Sequence, residues 1–329
     1  MTPDFSLVVN GRTITRLMAA RLIDLTITDK RGFEADELSI TLSDADVSLA
    51  LPPRGAEIRV AIGFRETGLT DKGVFIVDEM THTGPPDRLT IRGRSANFHQ
   101  SLNEQKRRSF RNRPLGEVLR TIASDHGLEI AIEEALAWQN AGHINQTGES
   151  DGHLLTRLGR QFDAIAAVKA GRLLFMPVGN GRTAGGTGLP GVTIERHDGD
   201  THTFQVLEGS SDYSGVRAHW YDVAAAAAKS VLAQEVSDFT KIKPLLETFA
   251  TEAEAEAAAQ AEWNRIQRGR FTMSVELAIG RPDLIPETPV TLTRWKDEIT
   301  AHRWICGDVE HSLSGGGLVS KVELERNSN

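Results

Sequence analysis

One segment of the sequence carries side chains that could bind a metal ion or perform acid–base catalysis. The segment is HINQTGESDGHLLTRLGRQFDA, which runs from residue 143 to residue 164. Its candidate groups are His143, Gln146, Glu149, Asp151 and His153. Imidazoles and carboxylates are zinc ligands, and they are also common general acids and bases in enzymes. The segment therefore raises the question of an active site.

The spacing of these groups favours the start of a helix over a metal or catalytic site. Zinc-binding histidines often lie one helical turn apart, whereas a loop and a helix start separate His143 from His153. Ser150 or Asp151 can accept the free backbone N–H groups of a first turn, and the charges of Glu149 and Asp151 suit its positive end. We therefore predict helix capping, with a partner surface as the lesser alternative. We assign no catalytic, cofactor-binding or metal-binding residue.

The residues around this segment predict an α+β middle segment over residues 101–190. Its predicted elements are helices over about 114–126 and 151–162, a hairpin over 164–176 and a Gly-rich loop over 179–191. Pro114 suits a first-turn position and Gly127 a helix end. The inward faces have helical spacing. They consist of Leu115, Val118, Leu119 and Ile122 in the first helix, and Leu154, Leu155, Leu158 and Phe162 in the second.

Two regions of alternating apolar and polar residues flank this middle segment. In the first region, Asn10-Gly11 predicts a tight hairpin, and strand-like runs follow at the spacing of a barrel or sandwich. In the second, strand-like runs are interrupted by an Ala-rich helix over about 251–268, with Thr251 and Glu254 at capping-box spacing. The fold class is therefore β-rich α+β.

The two flanking regions resemble each other. FIVDEMTHT (Phe75–Thr83) aligns without gaps with WICGDVEHS (Trp304–Ser312), an offset of 304 − 75 = 229 residues that also relates His82 to His311. Each stretch begins with an aromatic residue and has a histidine in eighth place. We therefore predict a duplicated β-barrel, with one barrel over residues 1–100 and a similar one over residues 191–329.

Two further motifs have simple explanations. Gly179-x-Gly181-x-x-Ala184 has the letters of a dinucleotide fingerprint, but more glycines and Pro190 follow, so no helix can start there to bind a pyrophosphate. A flexible connection is the favoured interpretation. A basic run also precedes the first helix, and we expect it to be solvated or paired with nearby carboxylates. Its members are Lys106, Arg107, Arg108, Arg111 and Arg113.

Composition limits the possible functions. The chain has 329 residues, 40% hydrophobic content and 25% charged content, which is typical of a globular protein of two or three domains. A net charge of −8 argues against tight wrapping of nucleic acid. The single cysteine, Cys306, cannot form an internal disulfide and is expected to be a reduced thiol. No signal peptide or membrane-spanning run is recognisable, so we expect a soluble chain without membrane insertion.

No signature of covalent catalysis is present. The sequence lacks a Gly-x-Ser-x-Gly elbow, and Cys306 lies in a strand-like run. Paired-carboxylate glycosidase chemistry stays open, since acidic residues are common and nothing nominates a pair. The run PLGEVLRTIASDHGL faintly resembles the helix of a LysM peptidoglycan-binding module, although an amphipathic core helix explains it better.

Several blocks, in order along almost the whole chain, resemble the phage late-control protein D family. This is the baseplate hub family of contractile phage tails and phage-like bacteriocins, and its hub fold is shared with the base of the type VI secretion spike. The more specific blocks are QTGESDGHLLTRLG and HTGPPDRL. Others are FEADELSITLSDAD, GVRAHWYD, RGRFTMSVELAIGRPDLIPETPV and WICGDVEHSL.

The resemblance implies two tube-type β-barrel domains per chain and a homotrimer whose six barrels match a sixfold tail tube. The opposite, threefold face would bind the central spike, and wedge and tape-measure proteins would be further partners. The implied location is the virion tail baseplate, after assembly in the bacterial host cytoplasm. An acidic lumen would let DNA pass without specific binding.

This interpretation makes the chain a structural protein and not an enzyme, with no cofactor. The alternatives are a tail-tip cell-wall hydrolase and a carbohydrate- or peptidoglycan-binding module.

Overall fold

The computed structural model describes residues 1–95, 100–169, 171–182, 187–207, 213–234 and 241–327. The strands are β1 (Pro3–Val9), β2 (Arg12–Thr13), β3 (Leu22–Asp29), β4 (Glu37–Ser43), β5 (Glu57–Phe64), β6 (Gly68–Thr83), β7 (Arg88–Ser95), β8 (Gln105–Arg111), β9 (Glu129–Ile132), β10 (His143–Ser150), β11 (Ala164–Lys169), β12 (Arg172–Pro177), β13 (Val192–Glu195), β14 (Gly199–Val206), β15 (Gly215–Asp222), β16 (Ala227–Gln234), β17 (Ile242–Phe249), β18 (Phe271–Leu277), β19 (Pro289–Thr293), β20 (Trp304–Ser314) and β21 (Gly317–Arg326). The helices are α1 (Thr15–Ala19), α2 (Leu115–Asp125), α3 (Glu134–Ala137), α4 (Asp151–Gln161), α5 (Glu252–Gly269) and α6 (Asp297–Thr300).

The fold is β-rich, and its strands follow the alternation of the sequence. The predicted turn between β1 and β2 is present, with Asn10 at φ 47° and Gly11 at φ 78°, the left-handed values that such a tight turn requires. In β3 and β4 the apolar face is buried, with Leu25 and Ile27 fully inaccessible. None of the helices in the described part of the chain is long and apolar enough to cross a membrane.

One 13-stranded sheet contains the same strand order twice. The first repeat is ordered β3-β4-β7-β6-β5-β1 and the second β14-β18-β21-β20-β19-β13. The two repeats differ at the end of this order, because β1 is antiparallel to β5 whereas β13 is parallel to β19. Each repeat has its own cluster of buried apolar residues, which centres on Ile27 and Ile62 in the first and on Trp304 and Val322 in the second.

Irregularities in the strands repeat as well. The pairing of β6 with β7 shifts between Val77 and Glu79, and the pairing of β20 with β21 shifts at the equivalent Cys306. The pairing of β3 with β4 shifts between Leu22 and Asp24, and that of β14 with β18 shifts at the equivalent Gly199. A bulge displaces one strand by a residue, so two shared bulges fix which residues of the two repeats are equivalent.

The interruption of the second β region is larger than the helix that the sequence predicts. Strands β15, β16 and β17 form a separate three-stranded sheet, and α5 covers one face of it through Val216, Ala259 and Trp263. This inserted subdomain, residues 213–269, lies between β14 and β18, where the first repeat has only the loop between β3 and β4. Strand β15, which lies within residues 191–329, therefore pairs outside the 13-stranded sheet. Thr251 caps α5 by accepting the N–H of Glu254 at 3.3 Å.

The middle segment contains the two predicted helices and the predicted hairpin, which is formed by β11 and β12. The inward side chains of α2 are fully buried, and each stabilises the fold by roughly 1.5–3 kcal/mol. Pro114 stands just before α2 as its N-cap, not inside the first turn. The hairpin turn includes Ala170, which lies outside the described residues.

Three strands of the middle segment are absent from the sequence prediction. The stretch before α4, predicted as a loop, is strand β10, which pairs antiparallel with β8. The basic run lies partly on β8, and β9 pairs parallel with β12.

Candidate functional site

The residues of the opening segment lead to a buried charge cluster centred on Asp151. The side chain of Asp151 has no exposed surface. Its Oδ2 accepts hydrogen bonds from Lys106 Nζ at 2.7 Å and His126 Nε2 at 2.8 Å. Its Oδ1 accepts from Gln146 Nε2 at 2.8 Å and also from the guanidinium of Arg108. The cluster thereby joins β8, α2, β10 and the first residue of α4.

These contacts determine the charge of Asp151. Burial opposes the ionised carboxylate, but the hydrogen bonds from Lys106, His126 and Gln146 outweigh it and lower the pKa of Asp151 to about 2. Asp125 lies at the rim, 3.1 Å from Lys106 Nζ and 2.5 Å from Arg108 Nη1. The expectation that the basic run is paired or solvated is confirmed, because Lys106 and Arg108 are paired while its other members are exposed.

The structure separates the other candidate groups. Ser150 caps α4 by accepting the N–H of His153 at 3.2 Å, as the capping prediction requires. Asp151, in contrast, binds side chains and not the helix N–H groups. Glu149 pairs with Arg157, and His143 and His153 point to solvent. No group of three or more His, Cys, Asp or Glu residues in the described ranges could hold a metal ion.

The depressed pKa of Asp151 predicts a pH dependence of stability. Its folded-state pKa of about 2 lies below the ordinary value of about 3.9, so its contribution is complete above pH ~4 and is lost as the pH falls towards 2. We expect the difference in unfolding free energy between the native chain and Asp151→Asn to shrink by about 2 kcal/mol over this interval. Urea unfolding of both chains at several pH values measures it. A constant difference across the interval would contradict the assignment.

A second buried cluster lies where the two repeats meet. Lys72 and Asp29 come from the first repeat, and Lys72 Nζ lies 2.8 Å from Asp29 Oδ2 and 2.8 Å from His311 Nε2. His311 belongs to β20 of the second repeat, and its Nδ1 lies 2.7 Å from Ser320 Oγ. Burial opposes the charge of Asp29, but His311 and Lys72 outweigh it and lower the pKa of Asp29.

The Ser320, His311 and Asp29 side chains have the composition of a hydrolytic triad but not its chemistry. Lys72 Nζ lies 2.8 Å from Nε2 of His311, and Ser320 Oγ lies 2.7 Å from Nδ1. A general base becomes charged when it takes the proton of the hydroxyl, and both burial and the nearby Lys72 ammonium disfavour a charged His311. His311 and Ser320 are also fully buried, and burial lowers the pKa of His311. The cluster connects the repeats and does not form a nucleophilic site.

A third set of contacts ties the Gly-rich loop to the second repeat. The Gly179 N–H donates to Glu287 Oε2 at 2.8 Å, and Arg31 Nε donates to Glu287 Oε1 at 2.7 Å. Burial raises the pKa of Glu287, although Arg31 and the Gly179 amide favour its charged form. Gly181 leaves no room for a Cβ beside Pro289. These contacts do not fit an untethered connection, and no helix begins in the described part of the loop; Ala184 lies outside that part.

Comparison with known proteins gives close relatives over nearly the whole chain. The chain is 38% identical to a probable baseplate hub protein of Escherichia phage 186 and covers 93% of that protein with 99% of its own length. It is 37% identical to a probable baseplate hub protein of Escherichia phage P2 at the same coverage.

Solved structures share the fold at low sequence identity. A 43 kDa tail protein of prophage MuSo2 from Shewanella oneidensis matches with a TM-score of 0.70 at 15% identity, with 99% of each chain covered. An Escherichia coli component of the type VI secretion system matches with a TM-score of 0.57 at 11% identity, with 94% of this chain and 74% of that chain covered.

The family itself follows from a match to most of the chain. The model of the phage tail baseplate hub family (GPD) matches residues 22–317, which include most of both repeats, the middle segment and the inserted subdomain. The chain therefore belongs to the phage tail baseplate hub family.

Proposed function

We propose that this chain is a trimeric adaptor in the baseplate of a contractile tail, joining the sixfold tail tube to the threefold central spike. The observation that supports this most directly is the twofold repeat of strand order within one chain. Three copies of a chain with two equivalent units present six similar units, which a sixfold partner can contact equivalently. The repeat thus provides the symmetry that such an adaptor needs.

Each repeat would form one β-barrel of the tube type. Both contain six strands in the same order around a separate apolar core, and both carry the same two bulges. Bulges increase strand twist and bending, which closing a sheet into a barrel requires. The middle segment and the inserted subdomain each have a core of their own and would decorate the outside of the ring.

The proposed partners are further copies of the chain, the tail tube protein and the central spike protein. Wedge and tape-measure proteins would contact the same assembly. The particle would be assembled in the bacterial cytoplasm. Its place in the virion tail is supported by the relatives from phages 186 and P2, which are named probable baseplate hub proteins. With a net charge of −8, a lumen lined by carboxylates would let DNA pass without binding it.

The proposed role is structural and non-enzymatic. The buried histidine cluster supports this, because burial and the nearby Lys72 ammonium lower the pKa of His311 and so oppose activation of Ser320. Loss of turbidity of purified peptidoglycan on addition of the chain would favour the hydrolase alternative instead.

The adaptor role is tested by measuring mass in solution. We expect light scattering to give the mass of a trimer of 36.0 kDa chains, either for this protein by itself or after the spike protein is added. We also expect the protein to co-elute with the spike protein. A chain that stays monomeric in both conditions and never co-elutes would overturn the proposal.

A further inference from the structure

The two repeats are joined inside the chain by one strand pairing. Strand β3 of the first repeat runs antiparallel to the second half of β20, from Val309 opposite Asp29 to Ser314 opposite Asp24. Thr26 is opposite Ser312 in this ladder, and their hydroxyl oxygens are 3.5 Å apart. We call this pairing the internal junction. It buries Leu25 and Ile27 completely.

Both strands of the internal junction have a counterpart in the other repeat. The shared bulges make β14 the counterpart of β3, so that Thr203 occupies the place of Thr26. They make β6 the counterpart of β20, so that Thr83 occupies the place of Ser312. The internal junction therefore has a second, unused pair of surfaces in the same chain, on β14 and on the end of β6.

These counterpart surfaces are open. Strand β14 pairs only with β18, and no strand among the described residues pairs with its other edge. Of the strands that the structure describes, β7 alone pairs with the end of β6, and Thr81, His82 and Thr83 are exposed there. The contrast with the internal junction is clear at one position, since His311 is fully buried whereas the side chain of its counterpart His82 is 41% exposed.

We propose that β14 of one copy of the chain pairs antiparallel with the end of β6 of a second copy, in the register of the internal junction. This proposal rests on the proposed function, because it specifies which edges join the copies of the ring. The transferred register places Met80 opposite Val206, Thr81 opposite Gln205, His82 opposite Phe204 and Thr83 opposite Thr203. Each chain offers both edges once, so the contact is head-to-tail and can close a ring.

The chemistry of the two edges fits this pairing. The residues that would face each other are uncharged at neutral pH apart from histidine, so no like charges oppose the contact. Thr83 opposite Thr203 repeats the hydroxyl pair of Thr26 and Ser312. The four β14 residues Thr203–Val206 contain no lysine or proline, the residues that usually protect an edge strand from pairing. A second copy would satisfy the open backbone groups of both strands.

Engineered cysteines test this register. We expect Thr83→Cys/Thr203→Cys to form intermolecular disulfides under mild oxidation, giving a ladder that ends at three chains on a non-reducing gel. The matched control is Thr26→Cys/Ser312→Cys, the same pair in the internal junction, which should close within one chain and leave it monomeric on the gel. Burial raises the pKa of the native Cys306 to about 12, so this thiol does not compete.

Single variants test the direction of the contact. Mixing Thr83→Cys with Thr203→Cys should give dimers only, whereas either variant alone should give none. Dimers from one variant alone would show a symmetric contact and overturn the proposal. The slipped pair Thr83→Cys/Phe204→Cys should fail, because a one-residue slip turns the side chains to opposite faces.

Light scattering on the same samples separates this proposal from the adaptor proposal. A trimer without the 83–203 disulfide, under conditions that close the control pair, would overturn the junction and leave the trimeric hub standing. A monomer under every condition would overturn both. A trimer with the predicted ladder supports both.

Discussion

Asp29→Ala is expected to destabilise the chain by about 3–5 kcal/mol, because it leaves the ammonium of Lys72 buried without its carboxylate. The side chains of Lys72 and Asp29 are only 3% and 10% exposed, so water cannot replace the lost partner. The Lys72 ammonium would also remain 2.8 Å from His311, which can offer it only a neutral acceptor. Denaturant unfolding followed by tryptophan fluorescence, to which the buried Trp304 of β20 contributes, measures the loss.

Two controls separate this effect from simple loss of charge. Glu79→Ala breaks the exposed ion pair between Glu79 and Arg92. Glu79 lies on β6, as Lys72 does, and its loss should cost at most about 1 kcal/mol. Asp29→Leu combined with Lys72→Met removes both charges and should cost less than the sum of the single changes. Additive losses would mean that the two groups do not stabilise each other.

The second large effect is expected at Asp151. Asp151→Ala should cost about 3 kcal/mol, because it leaves two cations and a buried histidine around an empty position. The loss falls at the lower end of the range for buried pairs, since Lys106 and Arg108 are 26% and 21% exposed and keep Asp125. Hydrogen exchange should show faster opening of β10 and α4 and leave the two repeats unchanged.

Asp125→Ala is the matched control for this change. Asp125 contacts the same two cations, but it lies at the rim with 37% of its side chain exposed. We expect a loss of about 1 kcal/mol or less. Equal losses from both substitutions would show that burial of Asp151 does not determine its importance.

The strands of the first repeat could be predicted because one face of each is apolar. Strands β8 and β10 could not, because their inward side chains are largely polar. Arg108 lies opposite Gln146 in this pair, and Gln146 is fully buried. Two-residue periodicity detects a strand only when its buried face is hydrophobic. The separate sheet of β15–β17 is a different case, since only β15 lies in a stretch predicted as a strand, and its pairing with β16 and β17 is set by tertiary contacts.

The charge clusters were only partly predictable for a similar reason. Capping by Ser150 follows from local spacing and is confirmed. His126 reaches Asp151 from the end of α2, and Lys72 reaches His311 from the other repeat. Such partners are far apart in sequence and have no local signal. The offset between His82 and His311 identified equivalent positions, but not that only one of them is buried.

The difference between these two histidines has a consequence for how an assembled ring would come apart. Inside each chain, His311 sits with a buried lysine–aspartate pair that is costly to separate. At the equivalent place between chains, Val206 occupies the position of Asp29 and the side chain of His82 is 41% exposed, so this contact has no buried lysine–aspartate pair. In a ring built this way, the three internal junctions, which contain the buried pair, alternate with three contacts between chains, which lack it. The three contacts between chains would separate first under mechanical load. Each chain would then dissociate with its two repeats still joined by the internal junction.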